Sequence, residues 1–295
     1  MKKIVYVRYL PLTKKVVDDF LLNKIAENGF CVEYWDITTI YFKNESMLEH
    51  YNTTELDRFK IHRFDSMSDI RLAVKNNRDA LYVIVMSFEW RIVPLFRLLT
   101  KYDCKISCFA FRMLPWPIFH SNFFNTLKVK FKDIINLIEN RIFLPVVVKI
   151  GYIKMYDYLF TGGTEGWRGA GRVKKSYLKN TKFFYLNNFD YDNFIGLEDN
   201  YDSEGEIVFI DEYYPFHPDS LLFSNNKKMS PNVYYNQLNN VFDFLERKYN
   251  KNVIIAAHPK ALKYKEKNFF KGRTVVYNST LSAIKHSSLV LAHDS

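Results

Sequence analysis

The chain has 295 residues, 48% of them hydrophobic and 25% charged, a balance that excludes disorder and fibrous repeats and leaves room for two modest domains. Its formal net charge of +10 admits nucleic acid, an anionic membrane surface or acidic substrates as partners. The cysteines Cys31, Cys104 and Cys108 are odd in number and lack metal-type spacing, so all three read as buried thiols in a reducing compartment.

Met1-Lys2-Lys3 followed by Ile4-Val5-Tyr6-Val7 is too short an apolar run for a signal peptide, and Lys3 to Arg8 reads as a first strand. Thr13 to Asn28 has an amphipathic helical pattern closed by Gly29, and Cys31 to Trp35 a second strand pattern. A polar, irregular stretch begins at Asp36. Helices are expected over Ser66–Asn76 and Trp90–Lys101, and strands over Ala80–Met86 and Lys105–Phe109. Pro115 and Pro117 break the pattern before a longer helical region; Tyr156–Phe160 and Lys182–Leu186 complete the strands of this half. The alternation is that of a parallel sheet flanked by helices.

Asn187 to Gly205 is rich in Asn and Asp and has no hydrophobic period, so it reads as a linker, with the boundary near Asp199. The predicted domains are therefore 1–199 and 200–295. Beyond the linker, strands are expected over Glu206–Ile210, Val253–Ala257, Thr274–Tyr277 and Leu289–Ala292, with helices over Pro231–Lys248 and Thr280–His286. The fold class is α/β with two Rossmann-like parallel-sheet domains. Because the sequence ends at Ser295 directly after a strand, with no helix to cover the last crossover, the second domain is expected to be truncated.

The most apolar stretch, Ile142 to Val148, is far below the ~20 residues that span a bilayer. Between Phe111 and Phe160, however, apolar residues interleave with Lys128, Lys130, Lys132, Arg141, Lys149 and Lys154. This pattern fits either a surface lying against anionic headgroups or a core helix pair whose lysines reach solvent. The expected location is cytoplasmic, with peripheral attachment to the inner face of the cytoplasmic membrane on the first reading. No RNA-binding aromatic signature, zinc module or recognition helix supports a nucleic-acid partner.

In open α/β sheets ligands sit beyond the carboxyl ends of the strands. In the second half that rule selects Asp211-Glu212, His258-Pro259-Lys260, Asn278-Ser279-Thr280 and His293-Asp294-Ser295. An acidic pair after one strand and His-Pro after the next resemble bacterial glycosyltransferases of the GT-B type that use CMP-activated acidic sugars, the sialyltransferases and Kdo transferases. His258-Pro259 matches that pattern. Asp211-Glu212 departs from its acidic-acidic-Gly element because Tyr213 replaces the glycine, and Ser295 is only the start of a Ser/Thr element. The resemblance spans roughly the last third of the chain.

The resemblance implies transfer of a sugar from a nucleotide donor to a surface-glycan acceptor. The second domain would bind the nucleotide sugar as co-substrate and the first the acceptor, with no cofactor and no catalytic metal. Transfer requires a base and a positive environment for the departing phosphate. Asp211 or Glu212 takes the first role and His258 donates to the phosphate, with Pro259, Lys260, Ser279, Thr280, Asp294 and Ser295 completing the nucleotide side. Gly162 and Gly163, which follow a strand in the first half, fit the acceptor side.

Each assignment has a plainer counterpart: a solvated strand end for Asp211-Glu212, a strand terminator for His258-Pro259, a helix cap for Asn278-Ser279-Thr280 and a glycine turn for Gly162-Gly163. His217-Pro218 with Asp219 reads as turn chemistry. Asp190-Tyr191-Asp192 fits the metal-binding Asp-X-Asp spacing but lies in the linker. The rival functions are a UDP- or GDP-sugar transferase and a non-catalytic two-lobed protein that closes on a small ligand.

Overall fold

In the computed structural model, residues 2–42, 59–111, 131–197, 205–216 and 230–293 are described. The chain divides into two compact units, Met1–Phe189 and Asp190–Ser295. This division lies about ten residues before the boundary expected near Asp199, and the short helix Phe189–Ile195 occupies the stretch read as linker.

The first unit is built on a parallel sheet of seven strands, β1 (Lys3–Arg8), β2 (Cys31–Asp36), β3 (Lys60–Arg63), β4 (Leu81–Ile84), β5 (Lys105–Ala110), β6 (Tyr158–Gly162) and β7 (Lys182–Leu186). Their order is β3-β2-β1-β4-β5-β6-β7. Both faces are covered, and the pleat sends alternate side chains to different cores. Val5 and Val7 of β1 join Trp35, Tyr82 and Ile84 on one side, whereas Tyr6 joins Tyr34 and Val83 on the other.

Thr13 caps the helix α1 (Lys14–Asp19), its hydroxyl accepting from the Val16 amide. The amphipathic run expected as one helix then breaks at Leu21, whose φ is 55°, before α2 (Leu22–Glu27). The break lets the buried Tyr6 hydroxyl donate to the Phe20 carbonyl at 3.0 Å and sets the Phe20 ring against Tyr6 and Phe109. Strand β3 was not expected. It is an edge strand with a mostly exposed surface and only Ile61 as an aliphatic residue, so no alternation marks it.

Of the remaining helices of this unit, α3 (Thr38–Tyr41) follows β2, α4 (Met67–Asn76) is capped by the Ser66 hydroxyl, and α5 (Val93–Lys101) follows a single 3-10 turn, Trp90–Ile92. The helical region after the proline pair contains α6 (Phe131–Ile138), a π-turn (Glu139–Phe143) and α7 (Leu144–Lys149). Cys104 and Cys108 are buried, and burial pushes their thiols up to about 11 and about 12. Cys31, expected inside, is only half-buried at the start of β2.

After α8 (Phe189–Ile195), the second unit contains four parallel strands: β8 (Ile207–Ile210), β9 (Val253–Ala257), β10 (Val275–Tyr277) and β11 (Leu289–Ala292), ordered β10-β9-β8-β11. The helix α9 (Pro231–Tyr249) starts with proline, as a helix tolerates, and packs Tyr235 and Phe242 on Phe209, Ile255 and Phe270. Arg273 ties its far end to the sheet. The guanidinium reaches Glu246 at 2.7 and 2.9 Å and Asn239 at 2.9 Å, and also contacts Asp243. The last helix, α10 (Thr280–Lys285), has six residues.

Candidate functional site

Strand order locates the place where each sheet reverses. In the second unit, β9 and β10 add to one side of β8, and β11 returns to its other side. The crevice expected for a ligand is therefore outside the carboxyl ends of β8 and β11, where Asp211, Glu212 and His293 emerge.

Asp211 continues β8, its amide bonded to the Ala256 carbonyl, and is only 2% exposed. The Tyr264 hydroxyl donates to Oδ2 at 2.7 Å and lies 2.8 Å from the Tyr235 hydroxyl. Oδ1 is buried without a hydrogen bond of good geometry among the described residues. Burial pushes the Asp211 carboxyl above its usual range; the Tyr264 hydroxyl, the amides of Tyr213 and His258 and the nearby His293 offset part of that penalty. Glu212, the next residue, is half-buried rather than buried. An acidic pair in sequence thus becomes two carboxylates in different environments.

Tyr213 stands where the resembled pattern has glycine, and its φ is 55°, in the left-handed region that glycine enters freely. Its ring is 4% exposed and packs against Phe216 and Tyr264, with centroids 5.3 and 5.2 Å apart. The aromatic packing holds a backbone that a side chain disfavours.

At the end of β11, His293 Nε2 lies 2.6 Å from the Tyr234 hydroxyl, and its ring sits against those of Tyr234 and Phe209. Tyr214, half-exposed, also stacks on Tyr234, with ring centroids 6.1 Å apart. At the end of β9, His258 Nδ1 accepts from the Lys260 amide at 3.1 Å, which makes Nε2 the donor position of the neutral ring. Pro259 and Lys260 are exposed. Asp211, Glu212 and His258 thus stand on neighbouring strand ends, β8 and β9, and His293 on β11.

Ser279 and Thr280 lie beyond β10, at the other edge of the sheet, with β9 between β10 and β8. The Ser279 hydroxyl turns back to the Tyr277 carbonyl and does not cap α10. Asp294, Ser295 and the His217-Pro218-Asp219 segment lie outside the described residues. Asp190 and Asp192 fall in the first turn of α8, where acidic residues suit the helix dipole.

In the first unit, Gly162 closes β6 and Gly163 follows with φ 71°. Their loop is tied to the one after β4. The Phe88 amide donates to the Ala170 carbonyl and the Arg172 amide to the Phe88 carbonyl, both at 2.8 Å. Between these bonds Gly171 has φ 97°, and a Cβ there would lie 2.6 Å from the Phe88 nitrogen.

This sheet reverses between β1 and β4, so the loops carrying Arg8-Tyr9 and Ser87-Glu89 flank its own crevice. There Arg91 pairs with Glu89 at 3.0 Å, its guanidinium stands 5.9 Å from the Tyr9 ring centroid, and the Tyr41 hydroxyl donates to the Arg91 carbonyl. Burial, then the Glu89 charge, pushes the Tyr9 phenol up. Sequence reasoning missed this cluster because strand ends are readable from the chain but the point of reversal is not.

No family model and no curated protein matches the chain. Solved structures similar to it include UDP-GlcNAc 2-epimerase from Methanocaldococcus jannaschii, at 11% identity and TM-score 0.46, covering 100% of this chain and 79% of that one. Another is MurG of Acinetobacter baumannii, at 7% identity and TM-score 0.46, covering 99% of this chain and 73% of that one. A third is Phytolacca americana UGT2, complexed with UDP-2fluoro-glucose and pterostilbene, at 10% identity and TM-score 0.41, covering 100% of this chain and 71% of that one. At such identities and scores these likenesses carry nothing about what this chain binds.

Proposed function

We propose that this chain is a nucleotide-sugar glycosyltransferase of the GT-B type, acting with a CMP-activated acidic sugar and a surface-glycan acceptor. The observation that carries the reading is the placement, at the reversal point of a parallel sheet, of two unlike carboxylates at the end of one strand, with His258 at the end of one neighbouring strand and His293 at the end of the other. Ligand sites of open α/β sheets lie at such points. The second unit would hold the nucleotide and the first the acceptor.

In this reading Glu212 is the base, because Asp211 is buried and engaged by Tyr264. Glu212 takes the proton of the acceptor hydroxyl, whose oxygen forms the new bond to the anomeric carbon. The bond from that carbon to the phosphate oxygen breaks, and its electron pair leaves with CMP. His258 Nε2–H and the Lys260 ammonium receive the phosphate. Asp211 is a positioning residue: its hydrogen bond to Tyr264 fixes the backbone from which Glu212 and the His258 loop project.

Transfer from a CMP-activated acidic sugar by the full chain tests the roles. Glu212→Gln is expected to lower kcat by at least ~100-fold while CMP still binds, within the range of acid–base catalysis. Full activity of this variant would remove Glu212 from the chemistry. A UDP- or GDP-sugar donor remains the second reading of the same site, and competition by free nucleotides separates the two.

A further inference from the structure

Among the described residues, the segment from α6 through the π-turn to α7 is anchored along one side. Asn140 is buried, with Oδ1 accepting from the Trp90 amide at 2.8 Å; Leu144 enters the core, and Phe143 lies against Trp90. Residues 134–138 are all exposed, and four of them, Ile134, Ile135, Leu137 and Ile138, are apolar. The exposed series continues through Ile142, 54% accessible, to Ile150, 69% accessible. A helix that leaves so apolar a face exposed is normally covered by something.

Its charge selects the cover. In the sequence, residues 112–154 contain seven basic and two acidic side chains. Arg141 and Lys149 are exposed on the segment itself and have no ion pair with a described residue. Long apolar side chains beside unpaired cations are what a helix lying in an anionic lipid interface presents. Among the described residues no helix is long and apolar enough to cross a membrane.

We infer that α6–α7 docks this protein on a bilayer carrying anionic headgroups, with Ile142 and Ile150 in the acyl boundary and Arg141 and Lys149 at the phosphates. The inference stands on this surface alone and does not need the transferase reading; if both hold, the acceptor is carried by a lipid.

The test is co-sedimentation of the full chain with phosphatidylcholine vesicles, with and without about a third phosphatidylserine, over a salt series. Binding is expected only with the anionic lipid and should weaken as salt rises. Arg141→Gln with Lys149→Gln is expected to lower the partition coefficient by about 25-fold, roughly fivefold for each basic residue near the surface. Ile142→Gln with Ile150→Gln, at exposed positions where the fold should be kept, is expected to lower it at least ~10-fold. Nucleotide-induced thermal shifts should be the same in both variants as in the parent, which separates failure of docking from failure of the nucleotide site.

Equal binding to both vesicle types, or unchanged binding in either double variant, would overturn the inference. So would lack of binding to any vesicle. A lipid-free dimer that Ile142→Gln with Ile150→Gln dissolves would identify the second copy as the occupant.

Discussion

Replacing Tyr264 by phenylalanine isolates the interaction on which the second unit's carboxylate depends. The hydroxyl donates to buried Asp211 Oδ2 at 2.7 Å and meets the Tyr235 hydroxyl at 2.8 Å, while the ring packs against Phe270 and Tyr213. Phenylalanine keeps the ring and removes the donor to a buried carboxyl, a loss of about 1–3 kcal/mol. Because burial raises the Asp211 pKa above its unfolded value of about 4, its contribution to stability is fully present below that value. The contribution is lost as pH rises through the folded pKa.

Tyr264→Phe raises the folded pKa further, so the penalty must grow with pH: about 1 kcal/mol when the acid is protonated and about 2–3 kcal/mol when it is ionised. Urea denaturation of the full chain, at a pH near the unfolded carboxylate value of about 4 and in mildly alkaline buffer, reads this difference. All four tryptophans, Trp35, Trp90, Trp116 and Trp167, belong to the first unit. Tryptophan fluorescence thus reports that unit as a control, while peptide-resolved hydrogen exchange over residues 253–264 reports the other. An equal loss at both pH values, or none at either, would refute the reasoning.

Tyr213→Gly relieves the left-handed backbone but empties a buried aromatic site, so a net loss of about 2–3 kcal/mol in denaturation is expected, less than the ~3–5 kcal/mol usual for deleting a core aromatic ring. Gly171→Ala should cost about 2 kcal/mol or more, read as a lower urea midpoint for the tryptophan signal, because its Cβ meets the Phe88 backbone at positive φ. His258→Ala should weaken CMP binding at least ~10-fold in calorimetry with the melting temperature of the free protein unchanged within a few degrees, the loss of one hydrogen bond to a charged phosphate.

Much of the fold was legible because strands buried on both faces are nearly continuous apolar runs. Val253–Ala257 and Lys3–Arg8 have the expected bounds on that ground. The edge strands Leu289–Ala292 and Lys182–Leu186, though part-exposed, do as well because each is itself a short apolar run. What failed to show is set by neighbours distant in sequence. Nothing local says that Tyr6 will claim the Phe20 carbonyl and break a helix, or that Lys60–Arg63 will find an edge to pair with. In the candidate site, Asp211, Glu212 and His258 were readable as strand-end residues. Tyr264, Tyr235 and Tyr234 were not, because a tyrosine in an aromatic-rich sequence gains a polar role only when the fold brings its hydroxyl to a buried carboxylate or imidazole.

The central claim is a nucleotide site at the carboxyl edge of β8, β9 and β11, and the most direct measurement is a thermal-shift titration of the full chain with CMP, UDP and GDP, with and without magnesium. CMP alone is expected to raise the melting temperature, independently of magnesium, approaching about 2.7 kcal/mol of added stability at a hundredfold excess over Kd. A shift with UDP or GDP in place of CMP would contradict the donor assignment, and no shift with any nucleotide would contradict the site.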